Sequence, residues 1–140
     1  MVQNSADTVR LSAEEAAAFA GSALQRLGLE PEAASTIAAQ LVDSALSGYP
    51  AFGLARILTI AEHTRLKEPR EPLTIVHETP VSARIDCGNH VGMYTISRVA
   101  DIAIEKAAGQ GIAVVGASNA YLSGRNGYYL ERIARAGLVG

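Results

Sequence analysis

Two short stretches of the chain combine residue types that could bind and transform a small anionic molecule. The first is Ser47-Gly48-Tyr49-Pro50-Ala51-Phe52-Gly53-Leu54-Ala55-Arg56, a glycine-flanked turn running into a helix start. Backbone N–H groups exposed in such a turn can meet an anion. Arg56 would fall in the first turn of the following helix, where the helix dipole disfavours a cation. A substrate carboxylate gripped by the planar guanidinium is one reason for its presence; a nearby surface acid is the other. Spacing alone leaves both open.

The second stretch is Gly116-Ala117-Ser118-Asn119-Ala120-Tyr121-Leu122-Ser123-Gly124-Arg125-Asn126-Gly127, which follows an apolar run and precedes a helical pattern. Open α/β sheets bind ligands at such a place. Asn119, Ser123 and Gly124 are small or polar enough for a backbone to approach a phosphate or a nicotinamide closely, which makes them candidate cofactor-binding residues. The run is neither a GxGxxG nor a Walker sequence, and an ordinary connecting loop is the competing reading.

Other titratable groups carry less. His63, His77 and His90 fall in a helix, a strand and a turn with no repeated ligand spacing, so no metal site is expected. His90, in the turn Cys87-Gly88-Asn89-His90-Val91-Gly92, lies near a helix start and could be functional, with a surface or satisfied core role as the alternative. Cys87 follows Asp86, whose charge disfavours a thiolate, so a small buried thiol is expected. One cysteine makes no internal disulfide, which suits a reducing cytoplasm.

These stretches need a frame. Ser12 and Glu15 have the spacing of a capping box. Ala16, Phe19, Ala20, Ala23, Leu24 and Leu27 then mark one buried helical face, which Gly28 ends. Pro31 opens a second helix carrying Ala34, Ile37, Ala38, Leu41, Val42 and Ala45 up to Gly48. Leu54, Ile57, Leu58 and Ala61 predict a third, reaching about Leu66.

The charged, proline-punctuated segment Lys67-Glu68-Pro69-Arg70-Glu71-Pro72 marks a boundary. An N-terminal helical segment over 1–68 and the first part of an α/β domain over 69–140 are therefore expected. Leu73 to Glu78 and Val81 to Asp86 read as strands around Thr79-Pro80. A helix follows from about Tyr94 to Ala108, with Ile96, Val99, Ala100, Ala103 and Ala107 on its core side. Ile112 to Val115 is a continuous apolar run of the kind a strand buried on both faces needs. Gly127 to Ala136 predicts a last helix, and Gly137-Leu138-Val139-Gly140 reads as the start of another strand. A sheet stopped there would leave an unpaired edge, so the expectation is a fragment, or a chain that another chain completes.

Bulk properties narrow the partners. A chain of 140 residues, 49% hydrophobic and 19% charged, can bury a core. Its net charge of −2 gives no broad positive field, so nucleic acid is not an expected partner. Met1 to Arg10 lacks the apolar run of a signal peptide. No stretch approaches the roughly 20 apolar residues of a membrane span.

At its two loops the chain resembles the malate/L-lactate dehydrogenase family of type 2. A Gly-His-x-Ser-His-Gly-x-x-Arg-like stretch of that family matches Gly48 to Arg56 in its glycines and arginine but not in its histidines. An Asn-Ser-x-His-Phe-Gly-Ala-Ala-Gly-Tyr-Tyr-like stretch matches Asn119, Gly124, Gly127, Tyr128 and Tyr129, with Leu122 at the histidine position. Lys106-Ala107-Ala108, Gly111 to Gly116 and Ala134 to Gly140 agree as well, so the resemblance covers nearly everything from Leu11 onward. It implies an NAD or NADP cofactor in a fold unlike the usual Rossmann arrangement, a homodimer, and hydride transfer to or from a 2-hydroxy, 2-keto or 2-imino acid. Family members are considerably longer, and the 140 residues alone are expected to be inactive.

The departures bear on chemistry. Reducing a ketone needs a proton donor, and histidine serves because it titrates near working pH. Phe52 and Leu122 cannot donate. Three explanations follow: an oxidoreductase using another donor, with Tyr49 and Tyr121 as candidates and Arg56 on the substrate; a non-catalytic paralogue binding a ligand or partner subunit; or a truncated or altered chain.

Overall fold

In the computed structural model, residues 9–140 are described. Most of the polar opening Met1–Arg10 therefore lies outside the described residues. Ser12 caps α1 (Ala13–Arg26) through the expected box: its hydroxyl accepts the Glu15 N–H, and the Glu15 carboxylate accepts the Ser12 N–H. Pro31 is the first residue of α2 (Pro31–Leu46). Ala20 and Leu24 of α1 meet Ala34, Ile37, Ala38 and Leu41 of α2 in the main core. Phe19, placed on the buried face by spacing, is instead 60% exposed, because the face that packs is set by the four-residue steps Ala16, Ala20 and Leu24.

After a 3₁₀ turn at Pro50–Phe52, α3 runs only Arg56–Glu62. The expected continuation to Leu66 breaks at His63, whose backbone is extended and whose Nδ1 accepts the Arg65 N–H, and a second 3₁₀ turn covers Thr64–Lys67. Ile57 and Ile60 are buried as α3 joins the core, while Leu58 faces outward.

The fold class is α/β: the helices lead into a mixed sheet of order β1-β2-β3. Strands β1 (Thr74–Thr79) and β2 (Ser82–Val91) form an antiparallel hairpin; α4 (Gly92–Gln110) then crosses to β3 (Val114–Tyr121), parallel to β2. Helix α5 (Asn126–Arg135) follows. One face of β2, with Ile85 and the fully buried Cys87, packs against Val99 of α4. Burial, the leading cause, pushes the Cys87 thiol above its ordinary range, as a small inert thiol requires.

Three expectations are corrected here. The stretch Cys87–Val91, read as a turn, belongs to β2, because pairing with β3 resumes at His90 and Ala120 after an irregularity that accommodates left-handed Gly88 and Asn89. The apolar run at Ile112–Val115 is not doubly buried: β2 takes the central place, and Ile112 and Val114 are 63% and 68% exposed at the edge. Leu138 and Val139 form no strand, since Gly137 turns the chain and Leu138 N–H bonds back to Ile133.

Candidate functional site

Parallel strands β2 and β3 carry their carboxyl ends to the same edge, where a crossover connection leaves a crevice. The chain bends sharply there. Asn119 and Leu122 have φ of +56° and +57°, the left-handed region that asparagine adopts readily and leucine only at a cost. Leu122 carbonyl accepts the Met93 N–H near the start of α4. The first residue of α4 is Gly92, and a Cβ on it would meet Tyr121 O and Ser123 Cα at 3.0 Å, so a side chain there would push strand end and helix start apart by a few tenths of an ångström. A groove of about 310 Å³ results, lined by Ser118, Asn119, Tyr121, Leu122 and Ser123 of β3 and its exit and by Ile96 of α4. Much of what was read as a loop, Gly116 to Tyr121, is strand; the true loop is Leu122–Arg125.

Side chains from distant segments hold this bend. Arg65 donates from Nε to Asn89 Oδ1 at 2.7 Å, from Nη1 to Ala120 O at 3.2 Å and from Nη2 to Asn119 Oδ1 at 2.6 Å. The other end of the Asn119 amide donates to Asp86 Oδ1 at 3.0 Å. Asp86 also accepts the Gly88 N–H, and these bonds hold its carboxyl below the usual carboxylate range. Asn89 Nδ2 returns to the carbonyls of Arg65 and Pro69. Sequence reading missed Arg65, Asp86 and Asn89, because their partners lie up to 55 residues away and no spacing rule connects them.

The first candidate turn comes near the same loop. Tyr49 is 51% exposed, and Arg125 lies over its ring at 5.4 Å. Arg125 is tied to Asp43 of α2 at 2.7 Å and to Glu131 of α5 at 2.9 Å. Gly124, with φ of +77°, sits so close to Gln40 and Met93 that a Cβ would collide with both. The Leu122–Arg125 loop is thus seated on α2, next to the Tyr49 turn. Arg56 opens α3 with its guanidinium 5.1 Å over the Phe52 ring; its Nε is buried without a protein partner, and no ion pair among the described residues includes it.

The profile of the malate/L-lactate dehydrogenase family matches residues 11–140. The chain belongs to that family. Ureidoglycolate dehydrogenase (NAD(+)) of Escherichia coli O157:H7 is 35% identical over 119 residues, which cover 84% of this chain and 34% of that protein. L-sulfolactate dehydrogenase of Methanocaldococcus jannaschii is 30% identical over 119 residues, covering 84% of this chain and 35% of its own length. The solved malate dehydrogenase of Pyrococcus horikoshii OT3 superposes with a TM-score of 0.83 at 27% identity, over 92% of this chain and 38% of that one. The chain therefore spans about a third of the length of the curated relatives it matches.

Within this dehydrogenase-family frame the remaining candidates are distributed unevenly. Tyr121 is 7% exposed, stacked on His63 at 4.3 Å between ring centroids, with Arg65 over its ring at 5.2 Å. Burial, the leading cause, raises its phenol above the ordinary value, so it stays protonated at neutral pH. Its hydroxyl has no protein partner. His90 Nε2 lies 3.1 Å from the Glu71 carbonyl, and desolvation lowers its pKa, so the ring is neutral and ties Glu71 to β2. Among the described residues no group of His, Cys, Asp and Glu could hold a metal ion, and no helix is long and apolar enough to cross a membrane. Both ends of the Asn119 amide are engaged within the protein, so this side chain shapes the bend rather than offering a free polar group.

Proposed function

We propose that these residues form the N-terminal part of a nicotinamide-dependent oxidoreductase acting on a small 2-hydroxy, 2-keto or 2-imino acid. The observation that carries this reading is the glycine-tight, left-handed bend at Asn119–Gly124, placed after parallel strand β3 in a chain of a dehydrogenase family. The groove beside it suits part of a dinucleotide, with Asn119 shaping the floor, Ser123 offering a hydroxyl and Gly124 admitting the backbone. NAD or NADP, when bound, supplies or accepts the hydride.

Arg56 grips the substrate carboxylate: its guanidinium has no carboxylate partner among the described residues and is backed by Phe52. The proton that accompanies hydride transfer to a ketone must come from a group other than Phe52 and Leu122. Tyr49 is the exposed phenol beside the loop, and Tyr121 is the buried one held protonated. An imine substrate eases the demand, because its nitrogen arrives protonated. The same reading has the helical segment 1–68 supporting the α/β part 69–140, a homodimer, and a cytoplasmic setting suited to the free thiol of Cys87.

Absorbance assays of NADH and NADPH consumption over a panel of 2-keto and cyclic 2-imino acids, with the full gene product, test the proposal. Turnover that falls sharply in Arg56→Met is the expected result. A product that binds ligand yet turns over no member of the panel overturns the enzyme reading in favour of a non-catalytic paralogue, for which Phe52 and Leu122 at family histidine positions speak.

A further inference from the structure

Asn119 and Leu122 occupy left-handed backbone that costs free energy for any residue with a Cβ, most of all for leucine, so the surrounding structure must over-determine it. The grip on this bend converges on one side chain. Arg65 bonds Asn119 and Ala120 directly, covers the Tyr121 ring, and reaches Asn89 on the neighbouring strand. Asp86 closes the far side by accepting from the same Asn119 amide, so that the carboxamide is held at both ends and cannot rotate. The acceptors of Arg65 are neutral amide oxygens, and no ion pair among the described residues includes it. Its full charge therefore strengthens bonds to the bend rather than serving a carboxylate. Only a planar fork reaches three such acceptors at once; an ammonium is a point donor.

We infer that Arg65 is a positioning residue, acting through Asn119 and Ala120 to hold residues 119–122 in the bend that presents the Leu122–Arg125 loop to a nicotinamide cofactor. Its functional meaning rests on the cofactor reading above; its structural content does not. Neither Arg65 nor Asp86 is needed to touch the cofactor, and the effect of Arg65 passes through the backbone it fixes.

The test uses the isotope-labelled full gene product in solution, reading the HN–Hα couplings of Asn119 and Leu122 and the Asn119 side-chain amide, with NADH and NADPH as titrants. Arg65→Met is expected to move both residues out of the left-handed region and to weaken nucleotide binding about tenfold. Leu24→Ala, in α1 and outside the hydrogen-bond network around Arg65, is the control for lost stability: it lowers the melting temperature and leaves couplings and affinity unchanged. Unchanged couplings in Arg65→Met, or an equal loss of affinity in Leu24→Ala, overturn the inference. Should Arg65→Met not fold, Arg65→Lys, which keeps the charge but not the fork, gives the same comparison. A wild-type full gene product whose residues 119–124 ignore both nucleotides sinks the cofactor reading alone, and the couplings still decide the role of Arg65.

Discussion

In the helical part of the molecule, Leu24, Ile37, Leu41 and Ile60 are shut off from solvent and touch neighbours that fit them by size and shape. At the ends of β2 and β3, Asp86, Asn89, Asn119 and Arg65 touch neighbours that fit them by donor and acceptor geometry. The first kind of contact is non-directional and tolerates small shifts. The second fixes angles, which is what a bend at left-handed Asn119 and Leu122 requires. Stability should therefore respond mainly to the first region, and the shape of the candidate site mainly to the second.

The strongest way to break that contrast is Leu41→Ala. Deleting a fully buried leucine in a close-packed core costs about 2–5 kcal/mol, a large part of the stability of an ordinary domain. Urea unfolding should show it, with the Asn119 side-chain amide unmoved in the folded state. A displaced amide would mean that the two regions are not separable.

Gly124→Ala probes the seam between them. The new methyl meets Gln40 and lies 2.7 Å from Met93 Cγ, at a φ of +77°. A loss of about 1–3 kcal/mol is expected, together with displacement of the Leu122–Arg125 loop from α2. Retention of wild-type stability would show that α2 yields easily at Gln40.

Ser12→Ala acts at the edge of the helical region, where the box at α1 is local and solvent-exposed. It should cost about 1 kcal/mol, visible as a small shift of the urea midpoint and as faster amide exchange in the first turn of α1 alone.

The smallest effect belongs to pH and to the polar region. Asp86 has a folded pKa below its unfolded value, so its contribution is present above the ordinary carboxylate range and fades as pH falls through the folded value. Urea midpoints measured downward from neutral pH should fall, and Asp86→Asn should flatten part of that fall. An identical acid profile in the variant would remove Asp86 from the account.

The capping box, the proline start of α2 and the apolar steps of α1 and α2 were legible because each rests on residues three or four apart. The family motifs were legible for the same reason: Gly48 to Arg56 and Asn119 to Tyr129 are contiguous. Phe19 misled, since a helical stripe wider than the contact it makes leaves some apolar residues outside. The extension of β2 through Gly88 and Asn89 was hidden because their left-handed backbone imitates a turn, and only pairing with β3 shows a continuing strand.

By itself, then, the sequence determined the helices, the order of elements, the family and the run of residues from Asn119 to Gly124, because local spacing and contiguous motifs suffice for these. The tertiary structure decided which strand is central, which apolar residues are covered, and that Arg65, Asp86 and Asn89 serve the bend. Those outcomes depend on contacts between residues 20 to 55 positions apart, whose partners are selected by the closure of the whole fold.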